Sequence, residues 1–531
     1  MKRRAFLASM TGSEQSGEET LVLSNLTPMT GNLDRQQTYH LIRRLNFAPT
    51  PELVDTITGM TADTAVDLLL GTGKEPLPPR SDDDWANKME ENPLTVGTNQ
   101  VRFAIEGRLK SRYGDFCNWW LELMRTDSLP SREKLTLFWS TVWCINFDYD
   151  TLALIPTPLL YFNNQTLRNY SSGNHPDFVE NVTLDGAMLL YQSLQYSSAV
   201  NGQRPNENYM RELLELFTMG IGYYTEADIK EGAKALTGWR TACYIGTPHS
   251  VDAPFKSYFD SSNGVHDIGA KDLMGETIPA RTIDDNTEDQ VRRDEVRGII
   301  DILYQRRPEA IADFICSKIY HYFVYSNTFD DSLTGRNNSE VISSMAEAFI
   351  DNNFEIRPVL KALFTSEHFF DEANYGIQLK PPPEFIVGLE TQLGVQYPGA
   401  KEAVFAMDQE LYNPPNVGSW EAYRTWISTT TYPLRIKFAR EILEIATDQH
   451  LITLAKKFDN YSDASGIVNS LEEYFLPNPV GAERHSYYLN ALLSGAGIDE
   501  TGWTTASDAV AANGIRDLIS AFIKAPDFQL S

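Results

Sequence analysis

The sequence predicts a mainly α fold: a large multi-helix globular body, interrupted by a Gly-rich insertion with room for a small β-hairpin or an ordered loop. Three observations lead there. Apolar residues recur at helical spacing from Leu33 almost to the end, while strand-like alternation is scarce. Helix-start and helix-stop residues punctuate that spacing. No fixed period repeats, which sets a solenoid aside. With 531 residues, of which 42% are apolar and 11% aromatic, core material is ample. Single cores usually stop growing beyond roughly 250–300 residues. The expected organisation is therefore an N-terminal tail over 1–32, a helical lobe over 33–239, the insertion over 240–282, and a second helical lobe over 283–531 packed on the first.

The tail begins MKRRAFLASM, with Arg3, Arg4, Phe6 and Leu7 in the order of a twin-arginine export signal. Polarity returns at Thr11, well short of an export h-region of roughly 7–15 apolar residues. The segment reads as a degenerate signal or a short basic tail. Beyond it, Thr50 precedes Pro51 as a cap precedes a proline at the first helical position, and Thr61 opens a second helix that Gly71 stops. Longer helices are predicted at about 100–125, 131–147, 176–194, 206–219, 225–237, 288–304, 308–326, 338–351, 355–365, 382–394, 434–447, 480–493 and 513–523. No stretch approaches the ~18 apolar residues of a membrane span.

Acidic residues outnumber basic ones by 72 to 45, a formal charge of −27. That surface repels a phosphate backbone, so nucleic acid is not an expected partner. The acidic runs at 81–92 and 284–295 are expected to be solvated. Cys117, Cys144, Cys243 and Cys316 are widely spaced and form no C-x-x-C pair, so neither a zinc knuckle nor a thioredoxin-type pair is indicated; a couple of them could pair in an oxidising environment, while the apolar company of Cys117, Cys144 and Cys316 favours buried free thiols. There is no G-x-S-x-G, H-E-x-x-H, P-loop or dinucleotide fingerprint, so no nucleotide cofactor is expected.

The stretch RPNENYMRELLELFTMG, residues 204–220, concentrates charge on a core helix. Met210, Leu213, Leu214 and Phe217 make its apolar stripe. Glu212 and Glu215 share a face three residues apart, with Arg211 at i+4 from Glu215. The bland reading is an ion-pair network; the functional one is a carboxylate pair for metal binding or acid/base work, with Arg211 clamping an anion. Thr225 and Asp228 start the next helix as a capping box. The insertion then carries His266, Asp267 and Lys271 between glycines, either a capped turn or a catalytic set. If a metal is bound, Glu212, Glu215 and His266 are its ligands. Lys318 and His321 sit three apart on an aromatic helix. Asn416 and Trp420 lie in a rigid loop, LYNPPNVGSWEAYRTW, whose Trp420, Tyr423 and Trp426 offer a stacking surface for a glycan or peptide.

In order along the chain, HLIRRLNFAPTPELV, PSREKLTLFW, RPNENYMRELLELFTMGIGYYTEADIKEGAKALTGWR, HDIGAKDLMG, SKIYHYFV, LFTSEHFF and LYNPPNVGSWEAYRTWI resemble the bacterial family catalogued as domain of unknown function 1800. The resemblance runs over nearly the whole chain from about residue 33. It implies a mainly helical fold, frequent export, and a protein partner similar to alkaline phosphatases and sulfatases; it carries no established reaction. The family pattern after Phe138 and Trp139 usually reads His-x-His-Phe, whereas Ser140, Thr141, Val142 and Trp143 stand here. Ser140 and Val142 in place of that histidine pair weaken the expectation of a metal. Two functions are therefore expected in competition: an envelope-associated assembly or binding protein with a buried charged network, or a hydrolytic or oxidative enzyme with a cleft between the 206–219 helix and the 240–282 insertion. The protein is expected in the periplasm or exported if the N-terminus or a partner directs export, and in the cytoplasm otherwise.

Overall fold

A computed structural model describes residues 26–71, 84–127, 129–148, 154–282, 285–326, 338–420 and 423–531. The export-signal expectation for residues 1–25 lies outside the described residues. The architecture is mainly α, with two small antiparallel two-stranded sheets: β1 (Trp239–Thr241) pairs with β2 (Ser257–Phe259), and β3 (Lys271–Leu273) with β4 (Glu276–Ile278). Both sheets form within or at the edge of the predicted insertion. Each strand is three residues long, too short to write a period-2 pattern into the sequence.

Local chemistry explains the helix boundaries. Thr50 accepts from Leu53 N with Pro51 at the first helical position, opening Pro51–Ile57; Thr61 opens Ala62–Leu70, and Gly71, at φ 74°, closes it. Asp185 interrupts the predicted 176–194 helix, because its carboxylate accepts from Ala187 N and Met188 N and starts a new helix, Gly186–Tyr191, after His175–Thr183. The predicted 206–219 helix divides into Asn208–Glu212 and a π-helical turn, Leu213–Thr218; Arg292–Val296 is a second such turn. Short π-helical segments recur at functional sites.

Buried apolar side chains from Leu33 to Phe528 form one contiguous core. Helix Pro130–Val142 runs through it with Trp139 fully buried, and its neighbours include Arg35–Leu45 and Thr157–Tyr170. At the C-terminal end, Asp508–Phe522 lies along Ala482–Ala496, so closely that a Cβ on Gly514 would fall 2.5 Å from the Leu492 carbonyl.

The two acidic runs depart from the solvated reading. Glu90 is buried and bound by Arg108 at 2.7 Å and Arg112 at 2.6 Å. Glu295 is fully buried. Each run turns one carboxylate inward, where cations from distant segments compensate its desolvation. All four cysteines are free and buried. No described helix is long and apolar enough to cross a membrane.

Candidate functional site

Around 204–220, Met210, Leu213, Leu214 and Phe217 are buried, which leaves Arg211, Glu212 and Glu215 on the flanks. Arg211 forms a forked pair with Glu226 at 2.7 and 2.9 Å, and lies 3.8 Å from Glu215 and 3.9 Å from Glu207. Glu215 also accepts the hydroxyl of Tyr224. Glu212 differs: among the described residues it makes no hydrogen bond or ion pair. Burial, and secondarily the Glu215 charge, pushes its carboxyl above the ordinary range. Both Glu212 and Lys318 act electrostatically on the Cys144 thiol, which burial pushes up to about 12.

The insertion builds a separate cluster around Glu295. His266 presents Nδ1 to the Thr237 carbonyl at 2.9 Å and Nε2 to Glu295 at 3.2 Å. Lys271 Nζ reaches both Glu295 oxygens, at 2.9 and 3.0 Å, and Arg281 donates to Glu295 at 2.8 Å. Asp267 closes a turn: its carboxylate accepts from Gly269 N and its carbonyl from Lys271 Nζ. Among the described residues no hydrogen bond or ion pair joins Glu212 or Glu215 to His266 or Asp267. The structure thus places these predicted residues in two groups, one on the helix flank and one beneath the β3–β4 sheet.

A third place is open. A cavity of about 650 Å³ lies among helix Pro130–Val142, helix Pro308–Phe323, the start of Pro382–Leu393 and the loop after Gln409. Lys318, His321, Asn416 and Trp420 are all in its lining. Its cationic side chains are Arg44, Lys134 and Lys318, and its only acidic side chain among the described lining residues is Glu384; Ser531 is also in the lining. Lys134 binds Glu384 at 2.6 Å and the carbonyls of Asn46 and Arg43 at 2.9 and 3.2 Å. The other Glu384 oxygen, the Tyr322 hydroxyl, Gln409 Oε1 and Ser419 Oγ are buried without hydrogen-bond partners among the described residues. Unsatisfied polar atoms are costly in a dry interior, so several at one cavity wall mark a place where a ligand or water completes the bonding.

Behind that wall the positive charge continues. Lys380 donates to the Phe528 carbonyl at 3.0 Å, and Arg435 to the Lys380 carbonyl at 2.8 Å. Burial pushes Lys380 down to about 7, and Arg43 and Arg435 each down to about 10. Lys318 is also held below the ordinary lysine range by burial; its ammonium sits 4.6 Å from the centre of the Phe314 ring, and among the described residues no carboxylate lies within 4.0 Å of it. Asn416 folds back on its loop, accepting from Gly418 N at 2.8 Å. His321 Nδ1 donates to the Tyr325 carbonyl at 2.9 Å, which leaves Nε2 as its acceptor.

A family model described as "Protein of unknown function (DUF1800)" matches residues 40–530. The chain belongs to this family. Comparison with curated proteins and with solved structures gives no match. In this DUF1800 chain, Thr141 and Val142, within the stretch where the resemblance implies a histidine pair, line the cavity, while Ser140 is buried with its hydroxyl on the Leu137 carbonyl at 2.7 Å. Among the described residues no group of three or more His, Cys, Asp or Glu side chains is arranged to hold a metal ion. Sequence reasoning passed over Arg44, Lys134, Tyr322 and Glu384 as cavity residues. One signal was present: Arg43–Arg44, Lys134 and Lys380–Glu384 interrupt strongly apolar or aromatic runs, the places where a charge needs a buried partner.

Proposed function

We propose that the protein is a binding protein for a small organic anion, up to disaccharide size, held in the 650 Å³ cavity. One observation carries the reading: the described lining has three cationic side chains against one acidic side chain, in a chain whose formal charge is −27. A protein that is acidic overall and basic at one concave site selects an anion there. The volume falls within the roughly 300–1,000 Å³ of small-molecule sites. Trp420, Trp426 and Tyr322 supply apolar ring faces, while Asn416, Gln409 and Ser419 supply amide and hydroxyl groups. That combination suits an acidic glycan fragment: rings stack on the sugar face, amides bond hydroxyls, and lysines take the carboxylate. Placement in the bacterial envelope rests on the Arg3-Arg4-Phe6-Leu7 order and the family resemblance, and so does an alkaline-phosphatase- or sulfatase-like partner.

The test compares glucuronate with glucose, each at millimolar concentration, by their effect on the melting temperature. The expected result is a rise with glucuronate that Lys318→Met and Trp420→Ala diminish. Equal shifts from both sugars, or none from either, overturn the reading.

A further inference from the structure

Far along the chain from the cavity's cations, helices Ala464–Phe475 and Ala482–Ala496 bring together Ser465, His485 and Glu472. Ser465 Oγ lies 3.1 Å from His485 Nε2. On the other side of the same ring, His485 Nδ1 lies 3.1 and 3.3 Å from the two Glu472 oxygens. Serine and glutamate sit seven residues apart on one helix, so they share a face two turns apart. The imidazole from the neighbouring helix spans the gap between them.

That order fixes the tautomer. An ionised carboxylate only accepts, so Nδ1 carries the proton and Nε2 presents its lone pair to the serine hydroxyl. This is the arrangement in which a histidine removes a serine proton while a buried acid orients the ring, and it recurs on unrelated folds. Glu472 is 9% and His485 21% exposed, so the acid is enclosed while the base is reachable. Ser465 is partly exposed, in the first turn of a twelve-residue helix. The N-cap Asp463 takes the Gly466 N–H at 2.8 Å. The N–H groups of Ala464 and Ser465, in the first turn, have no acceptor within the helix. Of the three residues, Glu472 alone borders a cavity of about 310 Å³, whose walls include Tyr39, Asn469, Leu476 and Pro477; Ser465 and His485 lie outside its lining.

We infer that Ser465, His485 and Glu472 form a nucleophilic relay that hydrolyses small carboxylic esters. Ser465 Oγ attacks the ester carbonyl carbon as its proton passes to His485 Nε2. The carbon–alkoxide bond then breaks, and the alcohol leaves with that proton. Water attacks the acyl-serine, again giving its proton to His485, and releases the carboxylic acid as the proton returns to Ser465. Ester and water are consumed, acid and alcohol are formed, and no other reactant is needed. Glu472 is a positioning residue in this scheme. The inference does not rest on the anion-binding reading.

The experiment treats the full chain with a fluorophosphonate and maps the adduct by peptide mass spectrometry, with p-nitrophenyl acetate hydrolysis measured alongside. The expected result is an adduct on Ser465, and ester hydrolysis reduced on the order of 100-fold or more in Ser465→Ala and His485→Gln. Glu472→Gln is expected to lower kcat with little change in KM, because it holds the ring in the wrong tautomer. The wild-type adduct needs no variant, so a misfolded variant leaves the test intact. Absence of an adduct on Ser465, or hydrolysis unchanged in a folded Ser465→Ala protein, overturns the inference.

Discussion

Lys380 shows how the environment of one residue sets its charge. Its ammonium is enclosed with Arg43, Lys134 and Arg435 around a single carboxylate, Glu384, and burial outweighs that carboxylate, pushing the group down to about 7. An unfolded lysine holds its proton to about 10.4. Between these two values the unfolded chain binds more protons than the native one, so stability rises with pH across that window, and the penalty is complete below about 7. Lys380→Met removes the penalty. Its stability relative to wild type should be greatest near pH 6 and decline by a few kcal/mol toward pH 10, at roughly 1.4 kcal/mol per pKa unit. Denaturant titrations at several pH values measure this; a difference that does not vary with pH contradicts the account. Lys318 belongs to the same scale. Its removal should leave the fold intact, since among the described residues it forms no ion pair.

Elements are held by a few of these charges and by close helix contacts. The cluster on Glu295 ties the insertion, through His266, Lys271 and Arg281, to the π-helical turn Arg292–Val296. Glu295→Ala leaves the buried Lys271 without its carboxylate, while Arg281 keeps Asp294 at 3.0 Å, and should cost about 3–5 kcal/mol. Replacing Lys271, Arg281 and Glu295 together with apolar residues of similar volume should cost much less, and equal losses in the two proteins would show that packing, not charge, fixes the insertion. Gly514→Ala tests the helix contact. Alanine is the better helix former by about 1 kcal/mol, yet its Cβ would meet the Leu492 main chain, so a drop in melting temperature is expected.

Much at this scale was legible in the sequence. Thr50 with Pro51, Thr61 with Gly71, and Thr225 with Asp228 are local signals, and the structure has each of them. The break at Asp185 was missed because apolar spacing continues through it. The π-helical turns were missed because their hydrogen bonding leaves no distinct apolar period over so few residues. Of the sites, Lys318, His321, Asn416 and Trp420 were singled out one by one from local context, and it took the tertiary fold to bring them to one cavity. The cations Arg44 and Lys134 were hidden within motifs that read as core helix.

For the whole molecule, the arrangement of charge is the main result. The formal charge is −27, while the basic residues Arg43, Arg44, Lys134, Lys318, Lys380 and Arg435 gather on and behind one cavity. Concentrating like charge in an interior is unfavourable in an empty protein, and a bound anion relieves it. Binding should therefore be accompanied by proton uptake near neutral pH, as Lys380 regains its charge. Isothermal titration in buffers of different ionisation enthalpy measures that uptake; none at pH 7.5 would detach Lys380 from the site. The central claim itself is tested most directly by titrating glucuronate into the wild-type protein and Lys318→Met under identical conditions. The account predicts one site per chain, affinity that falls with added salt, and a roughly 10- to 100-fold loss in the variant, the effect of removing one charged hydrogen bond. No binding to the wild type, or the same affinity in both proteins, would contradict it.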